Sequence, residues 1–408
     1  MSIHDRRDFL KATGISAATV LAAEVRAEMV PAQTRQLTIT AIGDRVDPWI
    51  EIDPQALRHN AGLLSAKMSN RPVLSVLKCN AYGLDPAVVA PCLEPAPQVW
   101  GYAVTKAEEA VAIRASGARK PIVMLADFAT TDALELAPQN IALCTYGIES
   151  GARLVQLAKR LGHPVKIHAK VDAGLGRLGI PHYQASSWIA DLIGTGAVKV
   201  AGIFCNLAEV EAANEHLRRF KSVVNELRAK RLDVGIAHAA ASYAISHFPD
   251  CAMDMIRPGI MSYGVYPDDT PPSSADLRCA HRLRGRVIRV SPVRKGDGVG
   301  YDQGFIAQEP GWTATVMCGW SDGYNYKANT GCQVLINGRL YPLIARTANN
   351  SVVDLGATAL VREGDIATLA GPEPGVRPNE LEAKSVGAGS GGYGQIRYAA
   401  SLPKFLEA

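Results

Sequence analysis

The sequence lacks the features that mark several common classes of protein. Its eight cysteines (Cys79, Cys92, Cys144, Cys205, Cys251, Cys279, Cys318 and Cys332) form no C-x-x-C pair and no zinc spacing, so no metal is expected. Past the N-terminal segment no apolar run reaches the roughly 18 residues needed to cross a bilayer, which argues against an integral membrane protein. The net charge is only +4, from 43 basic and 39 acidic residues. No basic patch is interleaved with aromatics, so a nucleic-acid partner is not expected. What is present, 48% hydrophobic and 20% charged residues over 408 positions, suits a soluble globular protein with room for a large barrel and a smaller domain. Cysteines in such a chain read mostly as small buried hydrophobes. Cys79 and Cys92 are one candidate disulfide, a strand-end residue facing the following helix.

The N-terminus carries Arg6-Arg7-Asp8-Phe9-Leu10-Lys11 and then the Ala-rich, mildly apolar stretch Ala12 to Ala23. A twin arginine in this setting resembles a bacterial Tat export signal, with Val25-Arg26-Ala27 offering cleavage after Ala27. That implies a signal over 1–27, a periplasmic mature protein folded before export, and no membrane attachment after cleavage. The alternative is a basic amphipathic helix at the start of the fold. A polar connector over 28–47 follows, with a strand-like Leu37-Thr38-Ile39-Thr40.

From Trp49 onward short apolar runs alternate with helical stretches. Strands are expected at Val73–Leu77, Val99–Val104, Ile122–Leu125, Ile141–Tyr146, Val165–Val171, Val198–Cys205, Gly235–Ala239 and Met261–Val265. Continuous apolar runs suit parallel strands buried on both faces. The repeated strand–helix order predicts a (β/α)₈ TIM barrel over 48–283. After Leu283 strands follow one another without helices, at Arg284–Val290, Trp312–Cys318, Gln333–Ile336, Leu340–Ile344, Ser351–Leu355 and Ile366–Leu369. Asn337-Gly338 is a tight-hairpin signal, and 284–408 is expected to be an antiparallel β-domain. The Gly-rich stretch 387–392 reads as a loop.

Lys78 lies in Ser75-Val76-Leu77-Lys78-Cys79-Asn80-Ala81-Tyr82-Gly83, at the end of an apolar strand. Its amine can form an imine with an aldehyde while the Tyr82 hydroxyl holds a phosphate, and pyridoxal phosphate needs both. The peptide alone equally fits a lysine snorkelling from a strand end. Further motifs are HAKVDAGLGRLG at 168–179, HAAAS at 238–242, RPGIMSYGVYP at 257–267, VGYDQGF at 299–305, GWSDGY at 319–324 and ARTANNSVVDLG at 345–356. In this order and spacing, from about Trp49 to Tyr398, the chain resembles the alanine racemase family.

The resemblance implies a pyridoxal-phosphate barrel followed by a β-domain, and interconversion of L- and D-amino acids by two acid/base groups. Lys78 matches the cofactor-bearing lysine and first base. Tyr82, Ser242, the backbone of Gly259 and Ile260 and, in a weaker match, Tyr398 correspond to the phosphate cradle. Arg257 matches the arginine facing the pyridine nitrogen, where a guanidinium cannot give the ring the proton acceptor a carboxylate would supply. His238 matches the partner that orients it. Arg177 matches an arginine near the substrate carboxylate, and Lys170 a lysine, often carbamylated, that positions it; a simple salt bridge is the other reading of Lys170. Tyr301 matches the second base, supplied in the family by the partner subunit, which implies a homodimer with shared sites.

Four departures fall at the site. Asn206 stands where a histidine usually packs on the cofactor ring, Trp320 replaces a tyrosine at the substrate entrance, Ala348-Asn349 replaces Met-Asp, and Ala241 stands where asparagine is common. Ala348 opens space beside the substrate side chain and Asn349 removes a negative charge, whereas Trp320 narrows access. Asn206 also resembles the periplasmic broad-specificity racemases, so substrates beyond alanine are expected. Two alternatives stand beside the racemase. Decarboxylation on the same fold is opposed by Arg257, and a catalytically altered pyridoxal-phosphate- or amino-acid-binding homologue is motivated by the four departures.

Overall fold

The computed structural model describes residues 37–38, 42–207, 212–267, 277–301, 303–324, 331–385 and 397–407. The export signal expected over 1–27, most of the 28–47 connector and the Gly-rich stretch 387–392 lie outside the described residues.

Seven strands, Val73–Val76, Val99–Val104, Ile122–Met124, Ile141–Cys144, Val165–Asp172, Val198–Phe204 and Ile236–His238, pair in parallel in chain order. Most are buried at nearly every position, as strands covered on both faces must be. The ring closes through isolated parallel bridges, Val73 to Ile256 on one side and Ala241 to Arg257 on the other. Backbone bonds from Leu74 N to Ile256 O (2.9 Å) and from Arg257 N to Ala240 O (2.7 Å) hold the seam.

The closing segment therefore precedes Met261–Val265, where the eighth strand is expected. Ile260–Tyr263 forms a 3₁₀ turn instead. Pro258 has no N–H to continue a ladder, and Gly259 at φ −104°, ψ −98° turns the chain. The apolarity of 260–265 reflects burial in the shell around the barrel, where Asn60 of the Pro54–Lys67 helix donates to Ser262 O at 3.2 Å. Arg257 consequently stands at the end of its extended segment rather than the beginning.

The helices follow ordinary local rules. Asp53 accepts from the N–H groups of Gln55 and Ala56 (2.7 and 2.9 Å) and Pro54 occupies the first turn, which caps that helix. Ser150–Leu161 buries Leu154, Leu157 and Ala158, places Lys159 and Arg160 in its last turn, and ends on Gly162 at φ 74°, a left-handed cap.

The second sheet orders its strands 37–38, 404–406, 49–52, 281–293, 311–317, 350–356, 339–346, 333–336 and 366–370, and a further pairing of 281–293 with 366–370 closes its last six into a ring. Along His281–Gly285 and Gln333–Ile336 buried and half-buried positions alternate, the pattern of strands with one face inward. Asn337 (φ 50°) and Gly338 (φ 77°) make the expected tight turn. Trp49–Ile52 precedes the barrel in sequence yet pairs here, antiparallel to His281–Arg284 and parallel to Lys404–Leu406.

Candidate active site

The strand Val73–Val76 delivers Lys78 to the C-terminal mouth of the barrel, and the backbone then turns left-handed. Cys79, Asn80, Ala81 and Tyr82 hold φ of 57°, 58°, 50° and 56°, followed by Gly83 at φ 93°. Residues with a Cβ resist this conformation by roughly 1–2 kcal/mol each, so the turn persists only because its surroundings over-determine it. Within it, Gly83 N donates to Asn80 O (2.8 Å) and Asp85 N to Asn80 O (3.0 Å). The turn sets Lys78, which is half-buried, at one end and Tyr82 at the other.

Tyr82 meets Gly259 from the next turn of the ring. A Cβ added at Gly259 would lie 2.3 Å from the Tyr82 hydroxyl and 3.8 Å from Ser242 Oγ, so any side chain here would push the Tyr82 hydroxyl aside. Gly259 N donates to Ser242 Oγ at 2.9 Å, Ile260 is fully buried behind it, and the Tyr82 ring packs on Tyr263 with centroids 5.1 Å apart. Two hydroxyls around a side-chain-free backbone N–H form a cradle suited to a phosphate. Tyr398 lies beside this region by its backbone, which would meet a Cβ on Gly83 at 2.7 Å. Its hydroxyl is buried with no hydrogen-bond partner among the described residues, and its ring stands edge-on to His281.

Arg257 is 2% exposed, and the acceptors that hold its guanidinium are uncharged. Nη1 donates to His238 Nδ1 (2.7 Å) and His238 O (3.3 Å), and Nη2 to Cys205 O (2.9 Å). An arginine only donates, so His238 Nδ1 must accept and its Nε2 must carry the proton. Nε2 in turn faces His168 Nδ1 at 2.9 Å, which leaves the His168 proton on Nε2. One guanidinium thus sets the tautomers of two buried histidines. Burial, then the Lys166 charge and Arg257, hold His168 down at about 3; burial and Arg257 hold His238 well below its usual range. Both are neutral at pH 7. No carboxylate touches Arg257 among the described residues, so nothing at this position could take up and return a ring proton. The arrangement fits a pyridine nitrogen that stays unprotonated.

Sequence reasoning did not single out His168, Phe204 or Gly202. Phe204 stacks on His238 (5.0 Å, 3°) and lies under both Lys170 Nζ (5.3 Å) and Arg257 Cζ (5.2 Å). Gly202 is required because a Cβ there would sit 2.4 Å from His168 Nδ1. The period-two spacing of His168 and Lys170 on one strand was the available signal. Lys170 is 5% exposed, and its pKa is lowered mainly by burial, with Arg257, Arg177 and Lys78 also adding positive charge. Its Nζ donates to Leu125 O at 3.4 Å and makes no ion pair among the described residues, where the simple salt bridge is therefore not found. Arg177, exposed in the loop after Asp172, belongs to the same cationic group. Asn206 follows two residues after strand Val198–Phe204 at this mouth.

The remaining expected residues belong to the β-domain. Trp320 N donates to Thr347 O (3.2 Å) and Ser321 N to Ala348 O (2.9 Å). Asn349 Nδ2 donates to Ser321 Oγ at 3.3 Å. Trp320, Ala348 and Asn349 therefore form one cluster, joined to the Lys78 turn through Asp322, whose carbonyl accepts from Ala399 N next to Tyr398. Tyr301 stands apart, 93% exposed, beside the small hairpin of Gly298–Val299 and Phe305–Ile306. The eight cysteines are free thiols. Cys79 is exposed while Cys92 is buried and bonds Val88 O at 3.2 Å, so the candidate disulfide is not formed: Cys92 points back along its own helix.

The sequence matches the alanine racemase N-terminal domain over residues 52–267 and the alanine racemase C-terminal domain over 280–393. It is 31% identical over 332 residues to an alanine racemase of Syntrophobacter fumaroxidans, covering 80% of this chain and 88% of that one. It is likewise 31% identical over 340 residues to an alanine racemase of Actinobacillus succinogenes, covering 83% and 93%. Among solved structures, the biosynthetic alanine racemase of Pseudomonas aeruginosa superposes with a TM-score of 0.77 at 28% identity, covering 89% of this chain and 100% of that one. A barrel carrying a lysine turn, a hydroxyl-lined cradle and a histidine-bound arginine, joined to a β-domain and matched in both parts, belongs to the alanine racemase family.

Proposed function

We propose that the protein is a pyridoxal-phosphate-dependent racemase that interconverts L- and D-alanine, with other amino acids among its substrates. The observation that carries this reading is Arg257, buried against neutral histidines at the same barrel mouth as Lys78. Tyr82, Ser242, Gly259 and Ile260 would hold the phosphate, with Tyr398 beside them, and Arg257 and Asn206 would hold the ring. When bound, the cofactor supplies the electron sink that makes the substrate Cα proton removable.

The chain's own groups do the rest. Lys78 Nζ takes or returns the proton on one face of Cα, and the Tyr301 hydroxyl serves the opposite face. Arg177 holds the substrate carboxylate, and Lys170 sets that arginine. The near-complete exposure of Tyr301 supports a homodimer in which it completes the partner's site. Ala348, in place of methionine, supports a wider side-chain pocket, bounded by Trp320. The twin-arginine segment supports Tat export to the periplasm, with the cofactor loaded before transport.

Circular dichroism of L-alanine and of small, basic and polar L-amino acids incubated with the cofactor-loaded protein tests the reading. Loss of optical signal for alanine is expected. A bound cofactor with no loss for any substrate would favour the altered, non-catalytic homologue, and release of carbon dioxide would favour decarboxylation.

A further inference from the structure

The strained turn that carries Lys78 is fastened from outside by Glu109. This residue is only 6% exposed, and its carboxylate is shared between two successive barrel loops. Oε1 accepts from Asn80 N, inside the left-handed turn, at 3.0 Å. Oε2 accepts from Thr105 N at 3.0 Å and Lys106 N at 3.1 Å, at the head of the Ala107–Ala115 helix. A buried carboxylate is tolerable only with such donors. A helix cap alone would need only the bonds to Thr105 and Lys106; the bond to Asn80 serves a different loop, 29 residues earlier.

We propose that Glu109 is a positioning residue that locks the left-handed turn and so fixes Lys78 relative to Tyr82 and Gly259. The functional half of this inference rests on Lys78 being the cofactor-bearing lysine; the structural half does not. Glutamine cannot replace Glu109, because an amide has a single acceptor oxygen and would aim its NH₂ at a second donor. Without the bond to Asn80, the turn loses the outside tie nearest Cys79 and Asn80 and keeps only the packing at its far end, where Tyr82 meets Tyr263, so the lysine loses much of its preset direction.

The test is hydrogen–deuterium exchange on the chain without cofactor, read in the segment 77–84, with pyridoxal phosphate titration as a second measurement. For Glu109→Gln the turn amides are expected to exchange at least about tenfold faster. Cofactor binding should weaken about tenfold, and kcat should fall by about 100-fold with KM little changed, as for a misplaced reacting group. Adding Cys79→Gly, which puts a residue tolerant of positive φ at an exposed position of the turn, should recover part of the cofactor affinity. Faster exchange confined to 105–115, with 77–84 and cofactor binding unaltered, would reduce Glu109 to a helix cap and overturn the proposal. Failure of Cys79→Gly to improve Glu109→Gln would also count against it. If Glu109→Gln does not fold, Glu109→Asp, which keeps the charge on a shorter arm, is read by the same exchange. Faster exchange in 77–84 with no cofactor binding even in the unsubstituted protein would refute the role of Lys78 and leave the lock intact.

Discussion

Replacing His168 by leucine should stabilise a protein that already carries His238→Leu, although it changes the stability of the unsubstituted one little. The tautomers imposed by Arg257 lead to this. In His168→Leu the His238 Nε2–H loses its acceptor, at about 1–3 kcal/mol, while the His168 Nε2–H, buried with no partner among the described residues, is removed, so the two nearly offset. In His238→Leu two groups are stranded: His168 Nδ1, and one N–H of the charged Arg257, which keeps only His238 O and Cys205 O. Together these cost roughly 2.5–6 kcal/mol. In the double variant His168 is gone and only the arginine N–H remains unpaired, for about 1.5–3 kcal/mol. The second substitution removes both stranded nitrogens of His168 and restores about 2–6 kcal/mol where it changes little in the unsubstituted protein, a coupling well above the roughly 0.5 kcal/mol of independent sites. Urea unfolding of the cofactor-free protein, compared across the four variants, measures it. A double variant less stable than His238→Leu alone would refute the relay of fixed tautomers.

Three further outcomes follow from the same geometry. Because His168 is held at about 3 in the folded chain against about 6.5 when unfolded, the unfolded state binds the extra proton between those values. Its contribution is fully present above pH 6.5 and lost as pH falls, so His168→Leu should flatten the acid limb of the stability curve by about 1.4 kcal/mol per pH unit; an unchanged slope would contradict the assignment. Gly259→Ala drives a methyl into the Tyr82 hydroxyl, 2.3 Å away, and should weaken pyridoxal phosphate binding at least about tenfold while sparing the fold, a loss of about 1.4 kcal/mol seen by spectrophotometric titration. Tyr301→Phe, at a fully solvated position, should leave stability within about 0.5 kcal/mol but lower racemisation by about 10²–10⁴-fold; unchanged turnover would remove it from the mechanism.

Much of the barrel was legible because burial on both faces writes itself as continuous apolar runs, and the β-domain because its strands alternate. The last barrel strand was misread at Met261–Val265, since apolarity alone does not distinguish a ladder from a 3₁₀ turn packed in the barrel's shell. Lys78, Tyr82, Arg257 and Gly259 stood out through their motifs. His168 and Glu109 did not, because their roles depend on partners 70 and 29 positions away. The left-handed turn was equally hidden: Cys79, Asn80, Ala81 and Tyr82 include no glycine, and nothing local asks them for positive φ.

The pairing of Trp49–Ile52 with both His281–Arg284 and Lys404–Leu406 bears on how the chain matures on the ribosome. The barrel is spliced into the β-domain: the strand that leads into the barrel sits in the sheet between one made just after the barrel and one made more than a hundred residues later still. Its outer neighbour exists only once residue 406 has emerged. Until then the edge formed by residues 49–52 is open, so this sheet closes only after both the barrel and the β-domain have been made. Removing residues 404–406 would bare a strand made hundreds of residues earlier.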